Sequence, residues 1–341
     1  MSHATTPDEV TITVVETTDV HGNFFPTNYI TRSQWPGSLA RVATYVDSLR
    51  AEKGADNVIL LDNGDLLQGQ PTVYYYNFID TVSPHVAADI QRFMAYDAVT
   101  LGNHDIETGH DVYDRFIAQS SAPVLGANII SSTTGKPYIA PYTIIERGGV
   151  RIAVVGMITP AIPAWLPENL WAGLRFDDMV STARTTIDHL RATEHPDAVI
   201  GLFHSGGNSD TRTAGYMENA SLEVARQVEG FDAILMGHDH RVWDEKVTDP
   251  SGATVVALNP ANNAVNIGRL DLTFTIGPDG KPVAKKIEGS VVPVGNLEPS
   301  PRFMEHFAPQ MAAVETFVER PIGRATGPFL SRDAFFGPSA F

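Results

Sequence analysis

The sequence predicts a mixed-sheet α/β protein, and three observations carry that expectation. Short apolar runs rich in β-branched residues recur along the chain and are bounded by turn formers. Helical repeats lie between several of them. After residue 250 the pattern changes to extended segments that alternate apolar and polar residues, as half-exposed antiparallel strands do.

The expected strands are "VTITVVETT" (10–18), "NVILLD" (57–62), "AVTLG" (98–102), "VRIAVVGM" (150–157), "DAVIGLF" (197–203) and "FDAILMG" (231–237). Their near-continuous apolarity suits strands covered on both faces. In "GSLARVATYVDSLRAEKG", Leu39, Val42, Ala43, Val46 and Leu49 fall on one helical face, Ser38 can cap, and Gly54 can end the helix. "DDMVSTARTTIDHLRATEHPD" repeats the design with Val180, Ala183, Ile187 and Leu190, and Pro196 lies beyond its end. "ASLEVARQVEGFD" is a third helix, expected to terminate at Gly230. In the last third, "TVVALNP", "NIGRLDLTFTI" and "KKIEGSVVPV" read as strands, with "GPDGK" (277–281) as a hairpin turn. Phe303, Phe307, Met311, Val314 and Val318 then follow one helical face, with Pro309 either kinking that helix or marking its start.

Composition narrows the function. A chain of 341 residues with 43% hydrophobic content is ample for one large core or two modest ones. There is no cysteine, which excludes disulfides, zinc–thiolate sites and thiol nucleophiles. The net charge of −16 and the lack of a basic cluster argue against a polymeric nucleic acid partner. No segment is long and apolar enough to cross a membrane. The opening residues "MSHATTPDEV" lack the charged-then-apolar profile of a secretory signal. Two expectations stay open: a cytoplasmic protein, or one whose signal has been removed.

The chemistry lies just beyond the strands. After the first comes "TTDVHGN" with Asp19 and His21, after the second "NGDLLQG" with Asp65, and after the third "GNHDIETG" with Asn103 and His104. "HSGGN" with His204 follows the fifth strand, and "GHDHR" with His238 and His240 follows the sixth. In open α/β sheets ligands gather beyond the carboxyl ends of strands. A single Asp-Gly after a strand is ordinarily a turn. Here, however, five of the 11 histidines sit at these ends, and independent turns would not collect them. Asp19, His21, Asp65, Asn103, His204, His238 and His240 offer seven ligand side chains, whereas one ion takes about four to six ligands including water. Seven suit two ions that share a bridge, and Asp65, central in the motif order, is the candidate bridge.

"DVHGN", "GDLLQG", "GNHD", His204 and "GHDH", in this order, resemble the five-block signature of the calcineurin-like metallophosphoesterases. The longer stretches "ETTDVHGNFFP", "LLDNGDLLQGQPTVYYYN", "LGNHDIETG" and "GMITPAIPAWLP" resemble the 5′-nucleotidase and 2′,3′-cyclic-nucleotide 2′-phosphodiesterase branch. The resemblance implies a four-layer α/β/β/α sandwich of two mixed sheets flanked by helices. It implies one metal on Asp19, His21, Asp65 and His240, and a second on Asp65, Asn103, His204 and His238. His104 matches the catalytic histidine that is not a ligand. Its partner in the nucleotidases is an aspartate three residues on. Glu107 stands there in this chain, so Glu107 and Asp105 are both candidates to orient the ring. Some nucleotidases carry glutamine at the position of His240, and histidine there is similar to the wider superfamily.

The expected reaction is hydrolysis of phosphoester bonds in nucleotides or cyclic nucleotides by a hydroxide bridging two cations about 3.5–4 Å apart, with His104 assisting the leaving group. The nitrogen and oxygen ligand set suits Zn²⁺, Mn²⁺, Fe or Ni. Two alternatives stay open: a phosphoesterase for another small phosphoester or sulfur analogue, and a metal-binding module without turnover. The resemblance further implies a periplasmic or extracellular location. It also sets the expected domains: a disordered or appended start (1–9), a catalytic domain (10–299), a connecting helix (300–320), and the beginning of a C-terminal substrate domain (321–341).

Overall fold

Alternation along single strands explains the layering. In Val58–Asp62, Ile59 and Leu61 point to one side and Val58 and Leu60 to the other, and every residue is buried. In Val150–Ile158, Ile152 and Val154 likewise oppose Ala153, Val155 and Met157. One set from each sheet meets its counterpart in a central apolar layer, with Ile12, Val14, Ile59 and Leu61 facing Ile152, Val154, Ile200 and Leu202. The opposite sets pack against helices. A computed structural model describes residues 8–208, 210 and 212–324. Most of the expected appended start and the segment 325–341 lie outside the described residues.

The first sheet has the order Pro282–Pro293, Asn266–Ile276, Asp8–Thr17, Val58–Asp62, Ala98–Thr100, Val124–Leu125. The last four strands run parallel, and the hairpin Asn266–Ile276/Pro282–Pro293 adds antiparallel to Asp8–Thr17. The second sheet has the order Val242–Thr248, Thr254–Pro260, Ala233–Met236, Ala198–His204, Val150–Ile158, Tyr142–Arg147, with four parallel strands between two antiparallel edges. Helices Leu39–Lys53, Val86–Met94 and His110–Gln119 cover the first sheet, and Met179–Thr193 and Ser221–Gln227 cover the second. The result is the four-layer α/β/β/α sandwich.

Local signals behave as expected in most places. Ser38 accepts a hydrogen bond from the Arg41 N–H and caps Leu39–Lys53, which ends at Gly54 with φ 87°. Gly277 and Lys281 close the predicted hairpin. Leu270, Leu272 and Phe274 alternate into the core. Three details differ. The third helix stops at Gln227 rather than at Gly230, because Val228 already adopts extended angles. "TVVALNP" is an interior strand, nearly all buried, parallel to Ala233–Met236 on one side and antiparallel to the edge strand Val242–Thr248 on the other. The C-terminal helical face divides into two helices, Pro301–His306 and Ala308–Val318, while Pro309 in the first turn of the second marks its start, one of the two expected alternatives. Phe303, Phe307 and Val314 bury in the same apolar layer as helix Leu39–Lys53. No helix among the described residues is long and apolar enough to cross a membrane.

Leu272 is fully buried in the central layer between the sheets. Leu272→Ala removes its transfer energy and leaves a void between two sheets that cannot close, at a cost of about 2–5 kcal/mol. Urea unfolding should show a lowered midpoint with an unchanged slope. The cap variant Ser38→Ala should lower stability by about 1 kcal/mol.

Candidate metal centre

Parallel pairing places the strand ends level. Thr17 pairs with Asp62, Asp62 with Val99, Phe203 with Met236, and Ile158 with His204, so the residues that follow emerge along one edge. They do so through unusual backbone. Asp19, His21, Asp65, His238 and His240 all have positive φ, between 48° and 75°. For residues with a Cβ this conformation costs about 1 kcal/mol or more each and persists only where surrounding structure imposes it. Two motif loops also touch at Gly102, where a Cβ would lie 2.1 Å from the Asp65 carboxylate.

All seven expected ligands come together. Asp19, His21, Asp65 and His240 each place a ligand atom within 4.8 Å of the others. His21 Nε2 is 3.0 Å from His240 Nε2, and His240 Nε2 is 3.2 Å from Asp19 Oδ1. Beside them, Asn103 Oδ1 lies 3.2 Å from His204 Nε2 and 2.8 Å from His238 Nδ1. Two ligand atoms at about 2.0–2.1 Å from one cation stand about 3.0–3.4 Å apart, and three of these four spacings fall in that range. Asp65 joins the groups, since its Oδ2 lies 3.3 Å from His204 Nε2 and 3.8 Å from His21 Nε2. Its other oxygen, Oδ1, accepts from the His104 N–H at 2.8 Å.

The electrostatics fit a cationic occupant. Asp19 and Asp65 are 0% and 1% exposed, and no lysine or arginine among the described residues forms an ion pair with either. Burial opposes their ionisation, but the facing histidines outweigh it and hold both carboxyls below the usual range. Burial also works against a charge on His204, yet Asp65 and Asp19 push its pKa up to about 10. Without a cation, the carboxylates favour a proton on His204, a candidate ligand. A divalent ion would supply that charge and leave the nitrogen free to coordinate.

The imidazoles are aimed by their far nitrogens. His21 Nδ1 meets the Gln68 carbonyl at 3.1 Å, and His204 Nδ1 meets the Asn63 carbonyl at 2.6 Å, leaving Nε2 inward in both. His238 is reversed: Nδ1 faces Asn103, and Nε2 meets Glu218 Oε1 at 3.1 Å. That hydrogen bond holds the Glu218 carboxyl below its ordinary pKa. Such carboxylate–histidine pairs fix the tautomer and raise the basicity of the inward nitrogen. Sequence reasoning missed Asn63 and Glu218. Asn63 sat in the motif "LDNGD" and reads there as a turn former. Glu218 lies 14 residues beyond His204 in an irregular stretch, with no periodic or motif signal.

The two candidate partners of His104 separate. His104 Nδ1 lies 2.5 Å from Glu107 Oε2, three residues on. Asp105 instead accepts from four main-chain N–H groups: Asp65 at 2.8 Å, Leu66 at 2.9 Å, Leu67 at 2.7 Å and Gly102 at 2.7 Å. Its carboxylate, 1% exposed, ties the loop that bears Asp65 to the one that bears Asn103, and it is occupied by main-chain donors rather than by the His104 ring. The short helix Asn103–Glu107, which puts Glu107 within reach of His104, was not foreseen.

The chain has relatives along much of its length. It is 32% identical over 251 residues to the trifunctional nucleotide phosphoesterase YfkN of Bacillus subtilis, covering 69% of this chain and 17% of that protein. It is 28% identical over 347 residues to the 2′,3′-cyclic-nucleotide 2′-phosphodiesterase/3′-nucleotidase of Haemophilus influenzae, covering 93% of this chain and 52% of that one. The chain thus spans about half or less of the length of these relatives. A crystal structure of the calcineurin-like phosphoesterase YfkN from Bacillus subtilis superposes with a TM-score of 0.79 at 26% identity, covering 92% of this chain and all of that one. A 5′-nucleotidase precursor from Thermus thermophilus shares the fold, with a TM-score of 0.71 at 22% identity over 94% of this chain and 62% of that one. The calcineurin-like phosphoesterase family matches residues 12–242, the span that contains all five ligand-bearing strand ends, and the chain belongs to that family.

Proposed function

We propose that this chain hydrolyses phosphoester bonds of nucleotides or cyclic nucleotides at a two-metal site. The observation that carries the reading is Asp65, whose Oδ2 stands between two ligand clusters while Oδ1 is tied to the main chain. Asp19, His21, Asp65 and His240 hold one cation. Asp65, Asn103, His204 and His238 hold the other. The donors are nitrogen and oxygen only, which suits Zn²⁺, Mn²⁺, Fe or Ni. Bound there, the ion pair supplies Lewis-acid charge to the phosphoryl oxygens and brings the pKa of water toward neutrality.

The remaining work belongs to side chains of this protein. Asn103 contributes a neutral oxygen, which limits the negative charge met by an anionic substrate. His104 is placed twice, by its own N–H on Asp65 and by Nδ1 on Glu107, so Nε2 is the position from which a proton reaches the leaving oxygen. The Glu107 carboxylate at Nδ1 fixes the orientation of the ring. The names of the relatives supply the substrate class. We further propose that residues 10–299 form the catalytic unit, that 300–320 connect it to a substrate domain beginning at 321, and that the protein works outside the cytoplasm. Cell fractionation tests the location.

Reconstitution with Mn²⁺ or Zn²⁺ should give about two ions per chain, and activity on bis-p-nitrophenyl phosphate and a nucleotide panel tests the reaction. Asp65→Asn should lower occupancy of both sites together. Full metal content and normal turnover in that variant would overturn the bridge.

His104→Asn should keep the metals and reduce turnover about 10²–10⁴-fold on alkyl phosphoesters, with a smaller loss on p-nitrophenyl esters, whose leaving group needs little protonation. Glu107→Gln should reproduce part of that pattern. Asp105→Asn should instead lower thermal stability, since it weakens a carboxylate that holds four main-chain donors. Equal losses on both ester classes for His104→Asn would remove its acid role.

A further inference from the structure

Away from the strand ends, His85 is the one fully buried histidine among the described residues, and nothing in the proposed reaction uses it. It stands at the start of helix Val86–Met94, where Nδ1 accepts from the Ala87 N–H at 3.2 Å. Its other nitrogen, Nε2, lies 2.8 Å from Asn77 Oδ1. Asn77, also buried, donates through Nδ2 to the Leu67 carbonyl at 2.7 Å. A line of three hydrogen bonds thus runs from the start of a helix to the loop that bears Asp65.

Each bond in the line fixes the next. A main-chain N–H can only donate, so Nδ1 of His85 carries no proton and the neutral ring holds its proton on Nε2. That proton needs an acceptor, which makes the facing atom of Asn77 the oxygen. The amide NH₂ is left to face the Leu67 carbonyl, which can only accept. The opposite amide orientation would set donor against donor at His85 and acceptor against acceptor at Leu67. Burial, with the Arg115 guanidinium nearby, pushes the His85 pKa down to about 3, so the ring keeps this neutral form.

Both side chains are mounted on braced backbone. The His85 N–H donates to Gln119 Oε1 at 2.7 Å. Asn77 lies in Tyr75–Ile79, a π-helical turn, which is a rare form that recurs at functional sites. Within that turn Tyr76 and Asn77 are the buried residues. Arg115, from helix His110–Gln119, donates to the Tyr76 and Thr81 carbonyls and secures the turn from outside.

At its far end the line meets the candidate metal centre. Asp105 holds the N–H groups of Asp65, Leu66 and Leu67, and Asn77 holds the carbonyl of Leu67. The next carbonyl, that of Gln68, orients His21, and the Gln70 N–H returns to the His21 carbonyl at 3.0 Å. Gly69 packs so closely that a Cβ there would lie 2.4 Å from the same His21 oxygen. A shift of the Leu67 peptide therefore disturbs both Asp65 and the acceptor that aims His21. We infer that Asn77 and His85 are positioning residues for the candidate metal centre, acting through the Leu67 carbonyl on Asp65 and His21. The inference rests on the two-metal reading for what the loop serves. Partners of this kind alter metal affinity without touching the ion.

The test pairs calorimetric titration with Mn²⁺ and hydrogen exchange of the metal-free chain. Asn77→Ala should weaken Mn²⁺ binding about 10–100-fold. It should also strip protection from the amides of Leu66, Leu67 and Gln70, while strand Val58–Asp62 keeps its own. His85→Asn retains a capping acceptor but is too short to reach Asn77. It should move both readouts in the same direction, and it decides the matter if Asn77→Ala fails to fold. Leu272→Ala, which loosens the sheet interface instead, should leave Mn²⁺ affinity unchanged. Unaltered affinity in the folded Asn77 and His85 variants would overturn the inference. So would loop exchange that rises only in step with the strand, or an equal loss of affinity in Leu272→Ala, since each leaves these residues a merely structural role. A wild-type chain that binds no Mn²⁺ would defeat the two-metal reading, whereas the exchange comparison would still decide whether Asn77 and His85 hold the loop.

Discussion

Asn63 lies fully buried where the carboxyl edges of the two sheets meet, and its side-chain N–H groups reach Glu16 Oε1 at 3.0 Å, the Phe203 carbonyl at 3.1 Å and the Leu235 carbonyl at 3.2 Å. Its Oδ1 accepts from Thr100, its N–H donates to the Thr17 carbonyl, and its own carbonyl meets His204 Nδ1. One residue thus connects strand ends of both sheets and aims a candidate ligand, His204. Apolar contact between sheets is tolerant of sliding, since any hydrophobic face of similar volume satisfies it. Hydrogen bonds to main-chain carbonyls are not. They hold the sheets where His204 from one and Asp65 from the other come to 3.3 Å.

That alignment is maintained against internal cost. Five candidate ligands have left-handed backbone, and two carboxylates are removed from water without an ion pair to a lysine or arginine among the described residues. Each feature alone destabilises a fold. Together they make a site suited to added positive charge, and without it the carboxylates favour a proton on His204 that burial disfavours. Glu16 extends the same pattern one layer deeper. It is fully buried, with Oε2 lacking a partner among the described residues, and burial first, then the nearby carboxylates, raises its pKa well above the ordinary value.

Around the ligands, positioning is done by groups with no chemistry of their own. Gln68 and Asn63 act through main-chain carbonyls, and Asp105 through its grip on four N–H groups. Glu218 acts through His238 and is itself held by the Thr213 hydroxyl, so a short two-stranded element after the strand Ala198–His204 supports a candidate ligand from another strand end. The loop after Val58–Asp62 supplies the candidate bridge and the carbonyl that orients His21.

Residues 59–65 illustrate the division between sequence and structure. "ILLDNGD" by itself determines a buried strand followed by a turn, because apolar continuity and Asp-Asn-Gly are local signals. The recurrence of Asp, Asn and His after five such strands pointed to a candidate ligand set, since ligand chemistry depends on residue type and a strand end can be read without knowing its neighbours. Helices with caps and clean periodicity, such as Leu39–Lys53, were legible for the same reason. Only the tertiary structure decided what depends on distance between segments remote in sequence. It chose Glu107 over Asp105 beside His104, turned Asp105 into a main-chain clamp, recruited Glu218, and placed "TVVALNP" inside a sheet. A carboxylate's role follows from which donors its fixed neighbours bring within about 3 Å, and the sequence does not contain that distance.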